Sequence, residues 1–194
     1  MNSPRIVLAS TSPYRRALLE RLRLPFEVKA SFVDESPLAG ESPRDTAVRL
    51  AQAKARAVAP SCPKALVIGC DQVAVLDGTC LGKPGTHVNA VAQLKIMRGR
   101  DVTFHTALAL FNTENDVAHI AEVPTVVRFR HYSDREIERY LELEQPYDCA
   151  GSAKIEGLGI VLVDRVTGDD PSALIGLPLM QLAAMLRQEG VSVV

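Results

Sequence analysis

Apolar residues recur along this chain in two rhythms: short continuous runs that suit buried strands, and three-to-four-residue spacings that suit helices. Arg5-Ile6-Val7-Leu8-Ala9 predicts a buried first strand, and Leu18, Leu19 and Leu22 predict a helix after it, capped by Ser12 with Pro13 in its first turn. Phe26-Glu27-Val28 suits a second short strand. Ser42-Pro43 opens a helix to about Val58, with an apolar stripe of Ala47, Leu50, Ala51 and Val58. Leu66 to Val75 predicts a core strand, the Asp77-Gly78 turn follows, and a second short strand leads to Lys83-Pro84. Val88, Val91 and Leu94 suggest a short helix between His87 and Met97. Val102–Phe111 and Val117–Phe129 predict two long antiparallel strands, with Pro124 pushing the second toward an edge or a bulge. Ser133-Asp134-Arg135-Glu136 is a capping box for a helix through Ile137, Tyr140 and Leu141, stopped before Pro146. Cys149 to Gly159 is glycine-punctuated and predicts a loop that lets a ligand approach the backbone. Ile160 to Val163 suits a short buried strand, Thr167 to Pro171 a polar turn. Leu182, Met185 and Leu186 predict a final helix after Pro178, with Gly190 beyond its end.

Two residues break these patterns. Asp71 stands where a core strand should continue through Val73 and Val75. Side chains alternate across a strand, so Asp71 shares a face with Val67 and Gly69, and must be desolvated, paired, metal-bound or exposed in a cleft. Lys54 falls on the apolar stripe of its helix, four after Leu50; it either snorkels to the surface or aims its ammonium at the site holding Asp71. The hairpin after Asp71 brings Lys83 back toward the same end. At the first helix, Ser10, Thr11, Ser12, Arg15 and Arg16 gather hydroxyls and guanidinium groups around free N–H groups, which suits a phosphate cradle as well as an ordinary capped helix. Asp34-Glu35 before Ser36-Pro37 is either a solvated turn or a pair of oxygen ligands for magnesium.

Composition narrows the class. With 194 residues, 47% of them hydrophobic, the chain fits one domain or two small lobes around a cleft. A formal net charge of -1 argues against a nucleic-acid or membrane-surface binder, so any anion site is local. The run from Ile6 to Ala9 is too short for a signal peptide and no stretch approaches a membrane span, which places the expected compartment in the cytoplasm. Cys62, Cys70, Cys80 and Cys149 form no CxxC pair and read as reduced, mostly buried thiols. His87, His105, His119 and His131 are scattered and join no Ser/His/Asp arrangement.

The blocks Ala9-Ser10-Thr11-Ser12-Pro13-x-Arg15-Arg16, Val33-Asp34-Glu35, Leu50-Ala51-x-x-Lys54, Gly69-Cys70-Asp71-Gln72-Val73, Gly82-Lys83-Pro84 and Gly176-Leu177-Pro178 together resemble the Maf family of nucleotide pyrophosphatases. The resemblance runs from Ile6 to about Gly190. It implies an elongated α/β fold similar to the inosine-triphosphate pyrophosphatases, a mixed sheet flanked by helices, and one domain of two lobes around an active-site cleft. It also implies hydrolysis of a nucleoside triphosphate to the monophosphate and pyrophosphate with a divalent metal, Mg2+ or Mn2+; a homodimer is an option on this ground alone. Ser10, Ser12 and Arg15 would then grip phosphate, Lys54 and Lys83 would place charge on the polyphosphate, and Glu35 and Asp71 would serve the metal. Asp71 also resembles the family's proton acceptor, although an ordinary Asp titrates near ~3.9 and is a poor base at neutral pH.

Three further positions bear on the base. More general members place Arg, Thr and Gln where this chain has Tyr14, Gln72 and Glu156, and this triplet resembles the branch acting on 7-methyl-GTP. Methylation at N7 makes guanine cationic, so a stacked ring such as Tyr14 gains roughly 0.5–2 kcal/mol of cation–π attraction. A carboxylate such as Glu156 accepts hydrogen bonds from N1–H and the amino group while offsetting that charge. Tryptophan is the more frequent residue in that branch at the position of Tyr14. Alternatives are a pyrophosphatase of wider range, acting on dTTP, UTP or modified nucleotides, and a non-catalytic nucleotide-binding regulator of septum formation. The carboxylates speak against the second, because a mere binder of anions has little use for them.

Overall fold

The computed structural model describes residues 4–194 as two compact units. The first runs through Asp71 and adds Thr106–Val123 and Asp170–Val194; the second comprises Gln72–His105 and Pro124–Asp169. Seven strands form one mixed sheet in the order β2-β1-β3-β5-β6-β7, with β4 paired to β3 off that path. This is the expected α/β class, with five α-helices among the described residues. None of these helices is long and apolar enough to cross a membrane.

In the first unit, β1 (Arg5–Leu8) lies parallel to both β2 (Glu27–Val28) and β3 (Ala65–Leu76), with Leu8 opposite Val28 on one side and Ile68 on the other. Strands covered on both faces read as unbroken apolar runs, and Ile6, Val7 and Leu8 are accordingly all buried. One face of these strands, carrying Ile6, Leu8, Leu66, Ile68 and Cys70, packs with Leu108 and Leu110 of β5 (Asp101–Asn112). Against it lie Leu18 and Leu19 of α1 (Pro13–Glu20) and Leu182, Met185 and Leu186 of α5 (Leu179–Gln188). The opposite face of β3, carrying Val67, Gly69 and Asp71, meets α2 (Pro43–Val58). A Cβ on Gly69 would stand 2.1 Å from the Ala51 carbonyl oxygen and 2.7 Å from the Ala55 nitrogen, so glycine lets the helix backbone rest on the strand.

In the second unit, β3 finishes and pairs with β4 (Thr79–Leu81), from Leu76 opposite Thr79 to Ala74 opposite Leu81. Then α3 (His87–Met97) buries Ala90, Leu94 and Met97. Val88 is exposed, so the expected Val88, Val91, Leu94 stripe is corrected: the buried face is Ala90, Leu94 and Met97. The capping box at Ser133 is present, and α4 (Asp134–Glu144) ends at Gln145 in a left-handed conformation before Pro146. The strand β6 (Val117–Phe129) pairs with β7 (Val163–Thr167) only from Val126 onward, which leaves Pro124 beyond the ladder with no hydrogen bond to lose on that side.

The expected buried strand at Ile160 to Val163 is wrong. Leu158–Leu162 is a 3-10 turn with Ile160 and Val161 exposed, and the strand starts at Val163 and takes in Thr167, where a polar turn was expected. Pairing with β6 holds this strand, not burial, so its sequence carries no apolar rhythm. Cys62 and Cys70 are buried, but Cys80 is exposed and Cys149 half-buried, which corrects the expectation of mostly buried thiols.

Candidate active site

The turn from β1 into α1 gathers Ser10, Ser12 and Arg15 as the sequence suggested. Ser12 caps the helix, its Oγ accepting the Arg15 N–H at 3.4 Å, and Ser10 Oγ accepts the Ser12 N–H at 3.2 Å. The Arg15 side chain folds back over this turn, its Nη1 3.5 Å from Ser10 Oγ and its Nε donating to the Gly176 carbonyl at 3.0 Å. Arg16 faces solvent and pairs with Glu20. Half-buried Tyr14 lies in the same first turn. The group lies past the carboxyl end of β1, beside the parallel stretch of β3, where open parallel sheets place their ligands.

Lys54, Glu35 and Asp71 form the second group. Lys54 is only 5% exposed, and its Nζ lies 2.6 Å from Asp71 Oδ1 and 2.6 Å from Glu35 Oε1. The cause is the close approach at Gly69. With α2 backbone resting there, Lys54, next to Ala55, reaches the same strand face two residues on, where Asp71 stands. The surface-snorkelling alternative for Lys54 is thereby overturned: its side chain is 6% exposed and its charge is met by Asp71 inside. Asp71 is 6% exposed. Burial pushes its carboxyl above the ordinary range against the pull of Lys54 and Arg15, with Glu35 adding repulsion.

Two carboxylates facing one ammonium are also a donor set for a hard divalent cation. Among the described residues no three His, Cys, Asp or Glu side chains cluster as a complete metal site. Mg2+ is ordinarily held by one or two carboxylates with water and substrate phosphate completing its shell, so Glu35 and Asp71 fit that ion as a partial site. Of the two carboxylates Glu35 is the more accessible, its side chain 57% exposed on an irregular segment.

Gln72, Lys83 and Glu156 belong to the second unit. Gln72 is half-buried one residue past Asp71, and Lys83 is exposed just after β4. The Glu156 loop is built tightly around Glu144: Lys154 Nζ lies 2.6 Å from Glu144 Oε1, the Leu158 N–H donates to Glu144 Oε2 at 2.7 Å, and the Lys154 N–H donates to Tyr140 Oη at 3.1 Å. Gly157 passes so close that a Cβ would stand 2.8 Å from the Glu144 carboxylate. Glu156 is exposed as a residue on this frame, but partial burial of its carboxyl raises it above the ordinary range, offset in part by a backbone hydrogen bond and by Lys154. The Glu144 and Tyr140 support leaves no sign in the sequence, because both sit in an ordinary helix pattern. Sequence reasoning also missed the buried Asp170, which lies in the expected polar turn, and the buried Ser172 just after that turn.

Comparison with known proteins agrees with the motifs. A protein of Methylobacillus flagellatus named 7-methyl-GTP pyrophosphatase is 60% identical over 191 residues, covering 98% of this chain and 100% of that protein. Proteins of the same name from Thiobacillus denitrificans and Aromatoleum aromaticum are 59% and 58% identical, each covering 98% of this chain and respectively 95% and 98% of their own length. The model of the Maf-like protein family matches residues 5–189, and the chain belongs to that family.

Proposed function

We propose that this protein is a cytoplasmic nucleoside triphosphate pyrophosphatase that cleaves the α-β phosphoanhydride of 7-methyl-GTP, giving 7-methyl-GMP and pyrophosphate. The carrying observation is the buried Lys54 ammonium facing Asp71 and Glu35, in a chain similar end to end to proteins named for that activity. Anhydride hydrolysis needs the polyphosphate charge neutralised and a water oriented, so electrostatics and positioning supply most of the catalysis. Ser10, Ser12 and Arg15 supply hydroxyls and a guanidinium for phosphate, and Lys54 a charge that is already desolvated. Glu35 and Asp71 would hold a divalent cation, which supplies Lewis-acid neutralisation of phosphate oxygens. Asp71 is placed to orient the attacking water and take up its proton. Lys83 is proposed as a further charge on the polyphosphate, with Tyr14, Gln72 and Glu156 as contacts to the base; these roles rest on residue chemistry and the resemblance.

Two experiments test this. Product analysis after turnover of 7-methyl-GTP is expected to give the monophosphate and pyrophosphate; the diphosphate and orthophosphate would place the cleavage at the wrong bond. Glu156→Gln is expected to lower the kcat/KM ratio of 7-methyl-GTP to GTP by roughly tenfold, the loss of a charge-assisted pair replaced by an amide. An unchanged ratio would remove Glu156 from base recognition.

A further inference from the structure

The loop between β7 and α5 is closed on itself by a buried acid. Asp170 is 3% exposed, and its partners are all hydrogen-bond donors. Oδ1 accepts the Ser172 N–H at 3.0 Å and the Ser172 hydroxyl at 2.5 Å, while Oδ2 accepts the Met180 N–H at 2.7 Å. Ser172 Oγ in turn accepts the Leu179 N–H at 2.7 Å. Helix α5 has Pro178 at its cap position and no cap from it, so Asp170 and Ser172 satisfy its first free N–H groups from outside the helix. The buried Thr106 hydroxyl fixes the interior of the loop by donating to the Ala173 carbonyl at 3.0 Å.

The closed loop leaves one carbonyl aimed elsewhere. Gly176 has a φ of +120°, open to glycine, and its oxygen accepts both Arg15 Nε at 3.0 Å and the Cys70 thiol at 2.9 Å. Holding Nε sets the plane of the guanidinium and so where its remaining N–H donors point, one of them toward Ser10. We propose that Asp170 and Ser172 are positioning residues: they lock the loop that presents the Gly176 carbonyl, and through it orient Arg15 for phosphate. This rests on the reading of Ser10, Ser12 and Arg15 as a phosphate grip. A helix cap alone would need the acid but not the Gly176 to Arg15 link.

A double-mutant cycle separates the two roles. Binding of inorganic tripolyphosphate by calorimetry is measured for the native protein, Asp170→Asn, Arg15→Ala and the double variant. Asp170→Asn presents an amide N–H to one of its donors, and is expected to weaken binding about fivefold to tenfold, a slackened contact instead of a lost one. In the Arg15→Ala background the same change is expected to have no further effect. Equal fold-losses in both backgrounds would overturn the proposal and leave Asp170 a helix cap. Arg15→Ala binding as tightly as the native protein would overturn the phosphate grip itself, and the proposal with it. Ser172→Ala, which keeps the acid, serves if Asp170→Asn does not fold; it is expected to lose about threefold in the native background and nothing in Arg15→Ala, and the same two contrary outcomes apply.

Discussion

Lys54→Met is expected to destabilise the protein by about 3–5 kcal/mol at neutral pH, the range for removing one partner of a buried ion pair. Methionine fills the lysine stem, so the loss comes from charge: Asp71 stays in a site 6% exposed with its nearest cation gone. Glu35 is more than half exposed and adds little to the deficit. The sign of the pH dependence follows from burial. Asp71 already titrates above its ordinary range, and without Lys54 it moves higher. A folded-state value above the unfolded one means the folded protein binds the proton better, so stability falls as pH rises through the window between them. The Lys54→Met deficit therefore shrinks as pH is lowered toward the ordinary carboxylate value, and the double variant Lys54→Met/Asp71→Asn recovers much of it at neutral pH. Denaturant unfolding across pH checks this. A loss under about 1 kcal/mol that does not change with pH would mean that the ammonium is solvated and the pair is not buried.

Gly69→Ala carries the second large effect. The new methyl would stand 2.1 Å from the backbone oxygen of Ala51, and backbone cannot step aside as a flexible side chain does. Helix α2 must lift from β3, at a cost of about 1–3 kcal/mol or more. The lift also separates Lys54 from Asp71, since the same approach brings them together. Pyrophosphate release is expected to fall by at least tenfold, because small misplacements of catalytic groups are expensive. Ala51→Gly, which removes a buried methyl from the same helix without forcing it away, is expected to retain most activity. Loss of stability in Gly69→Ala with full activity would show that the strand-helix contact does not position the pair.

Asp71 stood out in the sequence because a charge inside an unbroken apolar run conflicts with strand burial. Lys54 was less readable. A lysine on a helix stripe has a long stem, and spacing cannot say whether a neighbouring strand leaves it a way out; Gly69, as the point of close approach, decides that. Caps were legible because they are local chemistry: Ser12, Ser42 and Ser133 each stand at the N-cap of the helix expected after them. The expectations at Val88 and at Ile160 to Val163 fail because Val88, Ile160 and Val161 face solvent, and β7 is held by its ladder with β6. Asp170 looked like a turn residue, since Asp-Pro-Ser is turn chemistry; its partners at Leu179 and Met180 lie beyond the loop and leave no trace in local sequence.

The most direct test is pyrophosphate release with Mg2+ or Mn2+ from a panel of 7-methyl-GTP, GTP, dTTP, UTP and CTP, with Asp71→Asn as the control. Strong preference for 7-methyl-GTP, lost by about a hundredfold or more in the control, is the predicted result. Near-normal release by Asp71→Asn, or turnover spread evenly over the unmodified nucleotides, would contradict the assigned role of Asp71 or the assigned substrate respectively.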